Sequence, residues 1–142
     1  MNNRAIEVFS RFKVMQLFIH YFLHLVFPAA IALMFFRKKW KQAYLWMLAT
    51  MLVDLDHLLA NPIFQPNRCS VGFHYLHTFY ASVIYFVMLF FPYPLRIVGL
   101  GLLLHLLTDF IDCLFMFSQC PECQAAAPAY EWLKTVASWL GI

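Results

Sequence analysis

The sequence contains four apolar stretches, each about as long as the helix that is needed to cross a lipid bilayer. A spanning α-helix takes about 20 mostly apolar residues. We place the predicted spans at about residues 14–36, 42–60, 74–93 and 95–117. Helices satisfy their backbone hydrogen bonds internally, which lipid requires. The pattern therefore predicts an all-α integral membrane protein, built as a four-helix bundle.

Composition excludes the main alternatives to a membrane protein. Hydrophobic residues make up 63% of the chain and charged residues only 12%, whereas soluble domains carry about 25% charged residues. A chain of this size buries only about two thirds of its surface on folding, so a soluble form would expose much of its apolar content. The net charge of +3 is too small to indicate a polyanion-binding surface. We expect a single membrane domain over residues 1–142 that does not bind nucleic acid.

The C-terminal tail, at about residues 128–141, has apolar residues at helical spacing, among them Leu133, Ala137 and Leu140. This spacing predicts a short amphipathic helix. Two interpretations stay open: the helix lies in the membrane interface, or it contacts a partner, for example a second copy of the chain in a homo-oligomer.

All six histidines and all four aspartates lie within a predicted span or at its edge. If the spans alternate in direction, every one of these residues falls near the same membrane surface. The two connections on the opposite side contain no histidine or aspartate. The ten residues are His20 and His24 in the first span, Asp54, Asp56 and His57 in the second, His74 and His77 in the third, and His105, Asp109 and Asp112 in the fourth.

This polar layer predicts a metal site. A charged side chain in the bilayer core costs about 2.5–3.5 kcal/mol or more and usually marks function. Imidazole and carboxylate together suit zinc, iron or manganese, and ten candidates exceed the need of one ion. We expect two divalent transition-metal ions, zinc first, with manganese or iron as alternatives. A structural or proton-handling network also stays open. The predicted ligands are His20, His24, Asp54, Asp56, His57, His74, His77, His105 and Asp109.

Two motifs carry a resemblance to a known family. The run Asp54-Leu55-Asp56-His57 is similar to the P-D-x-D-H signature of small bacterial inner-membrane proteins of the YdjM type, which are described as metal-dependent hydrolases. The helix from Gly101 through His105 to Asp109 resembles their G-x-x-x-H-x-x-x-D element. The resemblance covers about residues 14–118. It implies a multi-pass protein of the bacterial plasma membrane and a site built from Asp54, Asp56, His57, His105 and Asp109.

The predicted function is hydrolysis of a phosphoester or ester in a lipid or polyprenyl headgroup. Two ions would lower the pKa of a bound water, and the hydroxide would attack the phosphorus or carbonyl centre. Asp112 and Asp56 are candidate proton carriers, and Arg68 is a candidate phosphate clamp. The predicted substrate is a membrane lipid, because the site lies near the headgroups in a mostly apolar bundle.

Other function classes remain open at this stage. The spacing of His20 with His24, and of His74 with His77, is similar to the histidine boxes of membrane di-iron oxygenases and desaturases. A divalent-cation carrier, a metal-binding membrane protein without catalysis and a purely structural membrane protein are further alternatives.

The four cysteines all fall on the ligand-rich side of the predicted bundle. Their even number permits one or two disulfides if that side is oxidising, for example between Cys69 and Cys113 or between Cys120 and Cys123. Four free thiols are the alternative. Basic residues number five on each side, so their count does not set the orientation. The dense basic loop at residues 37–41, opposite the cysteines, favours a cytoplasmic location for that loop. We therefore expect the site side to face the periplasm.

Overall fold

The computed structural model describes residues 3–63, 65 and 67–141, and the regular elements within this part of the chain are helical. This confirms the prediction of an all-α fold. Short 3₁₀ turns at Arg37–Lys39, Tyr75–His77 and Glu122–Gln124 connect the longer elements. The longer elements are α1 (Asn3–Tyr21), a π-helical turn (Phe22–Val26), α2 (Phe27–Phe35), α3 (Trp40–Ala49), a 3₁₀ helix (Thr50–Leu59), α4 (Phe79–Met88), α5 (Leu95–Gln119) and α6 (Tyr130–Leu140).

Two of these helices are long and apolar enough to cross a membrane. They are Arg11–Phe35, which runs from α1 through the π-helical turn into α2, and Leu95–Gln119. They match the first and fourth predicted spans. The second predicted span is α-helical only as far as Ala49 and continues as the 3₁₀ helix. The α-helix in the third predicted span is the ten-residue α4.

The third predicted span begins as a turn because of Thr78. This residue has extended backbone angles, and its side-chain oxygen accepts a hydrogen bond from the Ala81 amide, 3.3 Å away. A threonine in this role caps the start of a helix. Helix α4 therefore starts at Phe79, and His74 and His77 lie in the turn before it, not on its first turns as the sequence suggested.

Helix α5 is the central element, and α1, α3, α4, α6 and the 3₁₀ helix all contact it. Glycines allow the close approach: a Cβ atom at Gly99 would lie 2.7 Å from the Tyr85 carbonyl oxygen, and one at Gly101 would lie 2.9 Å from the Thr50 side chain. Small residues serve this purpose in packed membrane helices. The metal-ligating residue types on α5 therefore lie close to neighbouring elements.

Two apolar clusters flank the polar part of α5. One joins Ile97 to Ala32, Ala43 and Met47 of α2 and α3. The other joins the later α5 residues to α6 and includes Cys113, Phe117, Leu133 and Ala137. His105 and Asp109 fall between these clusters along α5 and are themselves buried. Leu133 and Ala137 of the predicted apolar face thus pack on their own chain, whereas Leu140, the third predicted member, stays exposed together with Trp132 and Trp139.

The loop between the 3₁₀ helix and α4 is attached to α5 by a disulfide between Cys69 and Cys113, whose Cα atoms are 5.1 Å apart. A second disulfide joins Cys120 to Cys123. The buried side chain of Gln124 also donates a hydrogen bond to the Asn67 carbonyl, at 2.6 Å. These contacts hold the loop against the C-terminal end of α5, on the side where the histidines and aspartates lie.

Candidate metal centre

Four side chains from three separate parts of the chain converge beside α5: Asp54, His77, His105 and Asp109. Asp54 Oδ1 lies 3.4 Å from His77 Nε2 and 3.1 Å from His105 Nε2. Asp109 Oδ2 lies 3.0 Å from His77 Nε2 and 3.6 Å from His105 Nε2. Ligand atoms at about 2.1 Å from a tetrahedral zinc ion are separated by about 3.4 Å. The four measured separations therefore have the size of the edges of such a coordination shell.

Several of these buried atoms have no hydrogen-bond partner among the described residues, including His77 Nε2 and Asp109 Oδ2. These two atoms are only 3.0 Å apart, yet they are not aligned as donor and acceptor. Buried polar atoms are normally satisfied, so each exception needs a reason. A cation between the two atoms would satisfy both at once. The donor set and its geometry fit a divalent metal ion.

Asp56 holds the His77 ring in place. Its Oδ2 accepts from His77 Nδ1 at 3.1 Å and from the Leu76 amide at 2.8 Å. Asp56 and His77 are both buried, and the contact leaves Nε2 of His77 facing Asp54 and Asp109. A carboxylate on the far nitrogen of a histidine commonly fixes the orientation of a metal-binding ring. Asp56, a predicted ligand and candidate proton carrier, thus contacts the centre through His77.

A second group consists of His20, His24 and Asp109. His24 Nε2 lies 3.8 Å from Asp109 Oδ1, whereas Asp109 Oδ2 faces His77. His24 Nε2 is buried and has no hydrogen-bond partner among the described residues. Asp109 therefore offers one oxygen to each of two groups. Within this group, His20 also pairs its Nδ1 with Oδ2 of Asp112. The other oxygen of Asp112, Oδ1, is buried without a partner in the described part of the chain.

The third group, Asp56, His57 and His77, lies on the other side of the His77 ring. His57 Nδ1 lies 3.1 Å from Asp56 Oδ1, and its Nε2 lies 3.1 Å from the hydroxyl of Ser70. His74 is buried and stacks on His57 with 3.7 Å between ring centroids. His74 belongs to none of the three groups found among the described residues, so its predicted role as a ligand stays a prediction.

Two local deviations from α-helical geometry position the ligands. His24 sits in the π-helical turn, a feature that is frequent at functional sites. The 3₁₀ helix, with three residues per turn, stacks Thr50, Val53 and Asp56 on its buried face. Asp54 and His57 follow on the adjacent, half-exposed face. The 3₁₀ winding thus gives the predicted D-x-D-H run two ligand-bearing faces.

Arg68, the predicted phosphate clamp, lies outside the three groups. Its exposed guanidinium donates to the carbonyls of Pro62 at 2.6 Å and Ile63 at 2.7 Å, and it packs over the Phe73 ring. Its predicted contact with substrate stays a prediction. Sequence reasoning did not select Ser70, which contacts His57. A serine in a polar loop has no distinguishing pattern, and its position next to Cys69 was the only signal available.

The six histidines and four aspartates form one contiguous network. The described contacts run from Asp112 through His20, His24 and Asp109 to His77 and His105, and on through Asp54 to His57, Asp56 and His74. Only Asp54, at 45% side-chain exposure, and His57 and His20, at about 30%, reach the surface appreciably. The network is thus largely buried and opens on the side of Asp54.

Fold and site together define an all-helical protein with a buried histidine and aspartate cluster that could hold a metal ion. The chain belongs to DUF6122, a family of unknown function, whose model matches residues 14–116. The matched range contains all ten residues of the network. Neither the curated proteins nor the solved structures contain a match to this chain.

Proposed function

We propose that this protein is a membrane-embedded, metal-dependent hydrolase that cleaves a phosphoester or ester bond in a lipid or polyprenyl headgroup. The observation that carries the proposal is the position of Asp109, whose two carboxylate oxygens face two different groups of histidines. A carboxylate in this position is suited to bridge two ions. The resemblance of two motifs to those of YdjM-type proteins, which are described as metal-dependent hydrolases, supports hydrolysis as the reaction.

The proposed cofactor is a pair of divalent transition-metal ions, with zinc preferred and manganese or iron as alternatives. One ion would take Asp54, His77, His105 and Asp109, and the other His20, His24 and Asp109. When bound, such ions would polarise a phosphoryl or carbonyl oxygen and would make a water ligand acidic. The third group, around His57, would orient His77 through Asp56 without binding a third ion.

Three aspartates would have further roles in orienting a ligand, admitting the substrate and transferring a proton. Asp56 keeps Nε2 of His77 turned toward the centre. Asp54 borders the open side, so a substrate would approach there while the other carboxylates stay sheltered. Asp112 would hold or release a proton at Oδ1, the oxygen that does not contact His20. The leaving group of a hydrolysed ester needs such a proton.

The shape of the molecule supports a multi-pass membrane protein with a lipid substrate. In the two candidate spans, the most apolar windows are only 17% and 39% buried within the chain, so their apolar side chains face outward. Helix α3 and the 3₁₀ helix together measure about 35 Å if they are collinear, which exceeds a hydrocarbon core of about 30 Å. A site in such a bundle is reached most easily by a molecule that is already in the membrane.

The disulfides support an orientation in which the site side faces the periplasm. Disulfides persist in oxidising compartments and are rare in the cytosol, and both described disulfides lie on the site side. The basic turn Arg37–Lys39 lies at the other end of the α2 and α3 helices. A membrane-impermeant thiol reagent should label intact cells only after treatment with a reductant that reaches the periplasm. Labelling without reductant would contradict the disulfides, and a lack of labelling even after reduction would contradict this orientation.

Metal content and lipid hydrolysis test the proposal together. Protein purified without chelator should contain about two transition-metal ions per chain and should alter a panel of membrane lipids. His105→Ala should lose one of the two ions and the lipid hydrolysis, whereas Leu107→Ala, an exposed position on the same helix, should keep both ions and the activity. Metal-free wild type would remove the proposal. Bound iron with oxygen consumption would favour the oxygenase, and bound metal without any reaction would favour a carrier.

A further inference from the structure

An apolar groove runs between the start of α4, the middle of α5 and the start of α6, and it reaches the candidate metal centre. Its volume is about 230 Å³, and its walls include Phe79, Leu106, Phe110 and Trp132. His77 forms part of the same wall, although its ring is fully buried among its neighbours. The groove and the candidate metal centre are therefore continuous through one side chain.

The groove offers little to a polar ligand. The Ser82 hydroxyl is used locally, because it donates to the Phe79 carbonyl at 2.7 Å. The Thr78 hydroxyl donates to the Tyr75 carbonyl at 3.1 Å and accepts from the Ala81 amide. The two hydroxyl groups in the wall are thus already engaged. A ligand here would gain mainly from burial of apolar surface.

The size of the groove also limits its occupant. Pockets for drug-sized ligands measure about 300–1,000 Å³, so this groove suits a slender segment and not a whole lipid. One wall belongs to Leu95–Gln119, a helix long and apolar enough to span a membrane. The outer edge carries Phe79 and Trp132, which are 67% and 66% exposed. Aromatic residues of this kind favour the boundary between lipid and water.

We infer that this groove binds one hydrocarbon chain of a membrane lipid and so holds the lipid's polar end beside the metal cluster. The inference rests on the proposed function and names its substrate class more closely: the substrate carries a long acyl or prenyl chain. Because His77 lines the groove and contacts Asp109, a chain in the groove would lie next to the centre where the headgroup would react. The groove would thus bind the hydrocarbon chain, and the candidate metal centre would act on the headgroup.

Photolabelling tests the inference without requiring catalysis. The probe is a phosphatidylglycerol with a diazirine in one acyl chain, mixed with purified protein in detergent micelles. We expect the label on Leu106 and Phe110, and we expect excess unlabelled phosphatidylglycerol to compete it away. Labelling that is spread over the outer helix surfaces and is not competed would overturn the inference.

Matched variants locate the binding. Ser82→Trp fills the groove, whereas Ile84→Trp adds the same side chain to an exposed position of α4. We expect Ser82→Trp to raise by about tenfold the concentration of unlabelled phosphatidylglycerol that is needed to compete with the probe. A loss of affinity of this size follows when about two methylene groups are no longer buried. Phe79→Ala removes an exposed side chain from the groove wall without crowding the fold, and it should also weaken lipid binding. If the Ser82→Trp and Ile84→Trp proteins need the same concentration of unlabelled lipid for competition, the inference is overturned.

The same samples separate the two proposals. Groove labelling in a protein without metal-dependent hydrolysis would leave the chain-binding groove standing and remove the proposed function. Hydrolysis that continues unchanged in Ser82→Trp protein would leave the proposed function standing and remove the groove. His105→Ala protein should retain groove labelling, because that residue does not line the groove.

Discussion

Asp56 and His77 are joined by a contact of 3.1 Å between Oδ2 and Nδ1, and both side chains are buried. The contact determines which nitrogen of His77 faces Asp54 and Asp109. Because Asp56 also accepts from the Leu76 backbone, its carboxylate is held by the turn that carries His77. One aspartate thus links the 3₁₀ helix to the turn and orients a candidate metal ligand.

We expect Asp56→Asn to weaken metal binding by about 10–100-fold, as is usual when the partner of a metal-binding histidine is lost. The amide keeps the size of the side chain but no longer carries the charge that supports the ring. Titration of metal-free protein with zinc and a competing chelator measures the affinity. Glu131→Gln, an exposed acid on α6, is the control. An unchanged affinity in Asp56→Asn would show that Asp56 does not orient a ligand.

His24→Ala and Asp109→Ala should differ in the number of ions that they retain. His24 belongs only to the group with His20 and Asp109, so its loss should remove one ion and leave the group around His105 intact. Asp109 belongs to both groups, so its loss should empty both. Elemental analysis after gel filtration gives the ratio, with Glu122→Gln as the control. Equal losses in the two variants would contradict the bridging role of Asp109.

Removal of the Cys69–Cys113 disulfide should lower stability more than removal of Cys120–Cys123. The first links residues 44 positions apart and the second residues only 3 apart. A cross-link restrains the unfolded chain more when it closes a longer loop, and a typical contribution is about 2–4 kcal/mol. Thermal unfolding of the Cys69→Ala/Cys113→Ala and Cys120→Ala/Cys123→Ala proteins in the same detergent measures the difference. Equal midpoints would show that the first disulfide does not stabilise the fold more than the second.

Gly99→Ala should destabilise the bundle by about 1–3 kcal/mol, the usual cost of overpacking a tight contact. The new Cβ would lie 2.7 Å from both the Tyr85 carbonyl oxygen and the Met88 Cβ, and a backbone oxygen within α4 cannot easily move aside. Leu107→Ala on the exposed side of α5 is the control for thermal unfolding. A midpoint at or above that of the wild type would mean that α4 and α5 do not approach as closely as described.

Much of the candidate centre could be predicted from the sequence because its signals are local. The spacing of His105 and Asp109 puts them on one face of a helix whatever that helix contacts. The alternation of apolar spans with short connections then assigns His24, Asp54 and His77 to a common side. These inferences need only helical periodicity and the direction of each segment.

The tertiary structure alone decided how these residues meet. The two oxygens of Asp109 face different histidines because of the way the π-helical turn and the turn around His77 pack against α5. That packing depends on contacts between residues far apart in sequence, such as Gly101 with Thr50 and Cys69 with Cys113. Arg68 bonds to carbonyls of its own loop for the same reason, since the course of a loop follows from what it is packed against. The sequence determined which side chains share one layer of the molecule, and the packing of the helices determined which atoms of those side chains face one another.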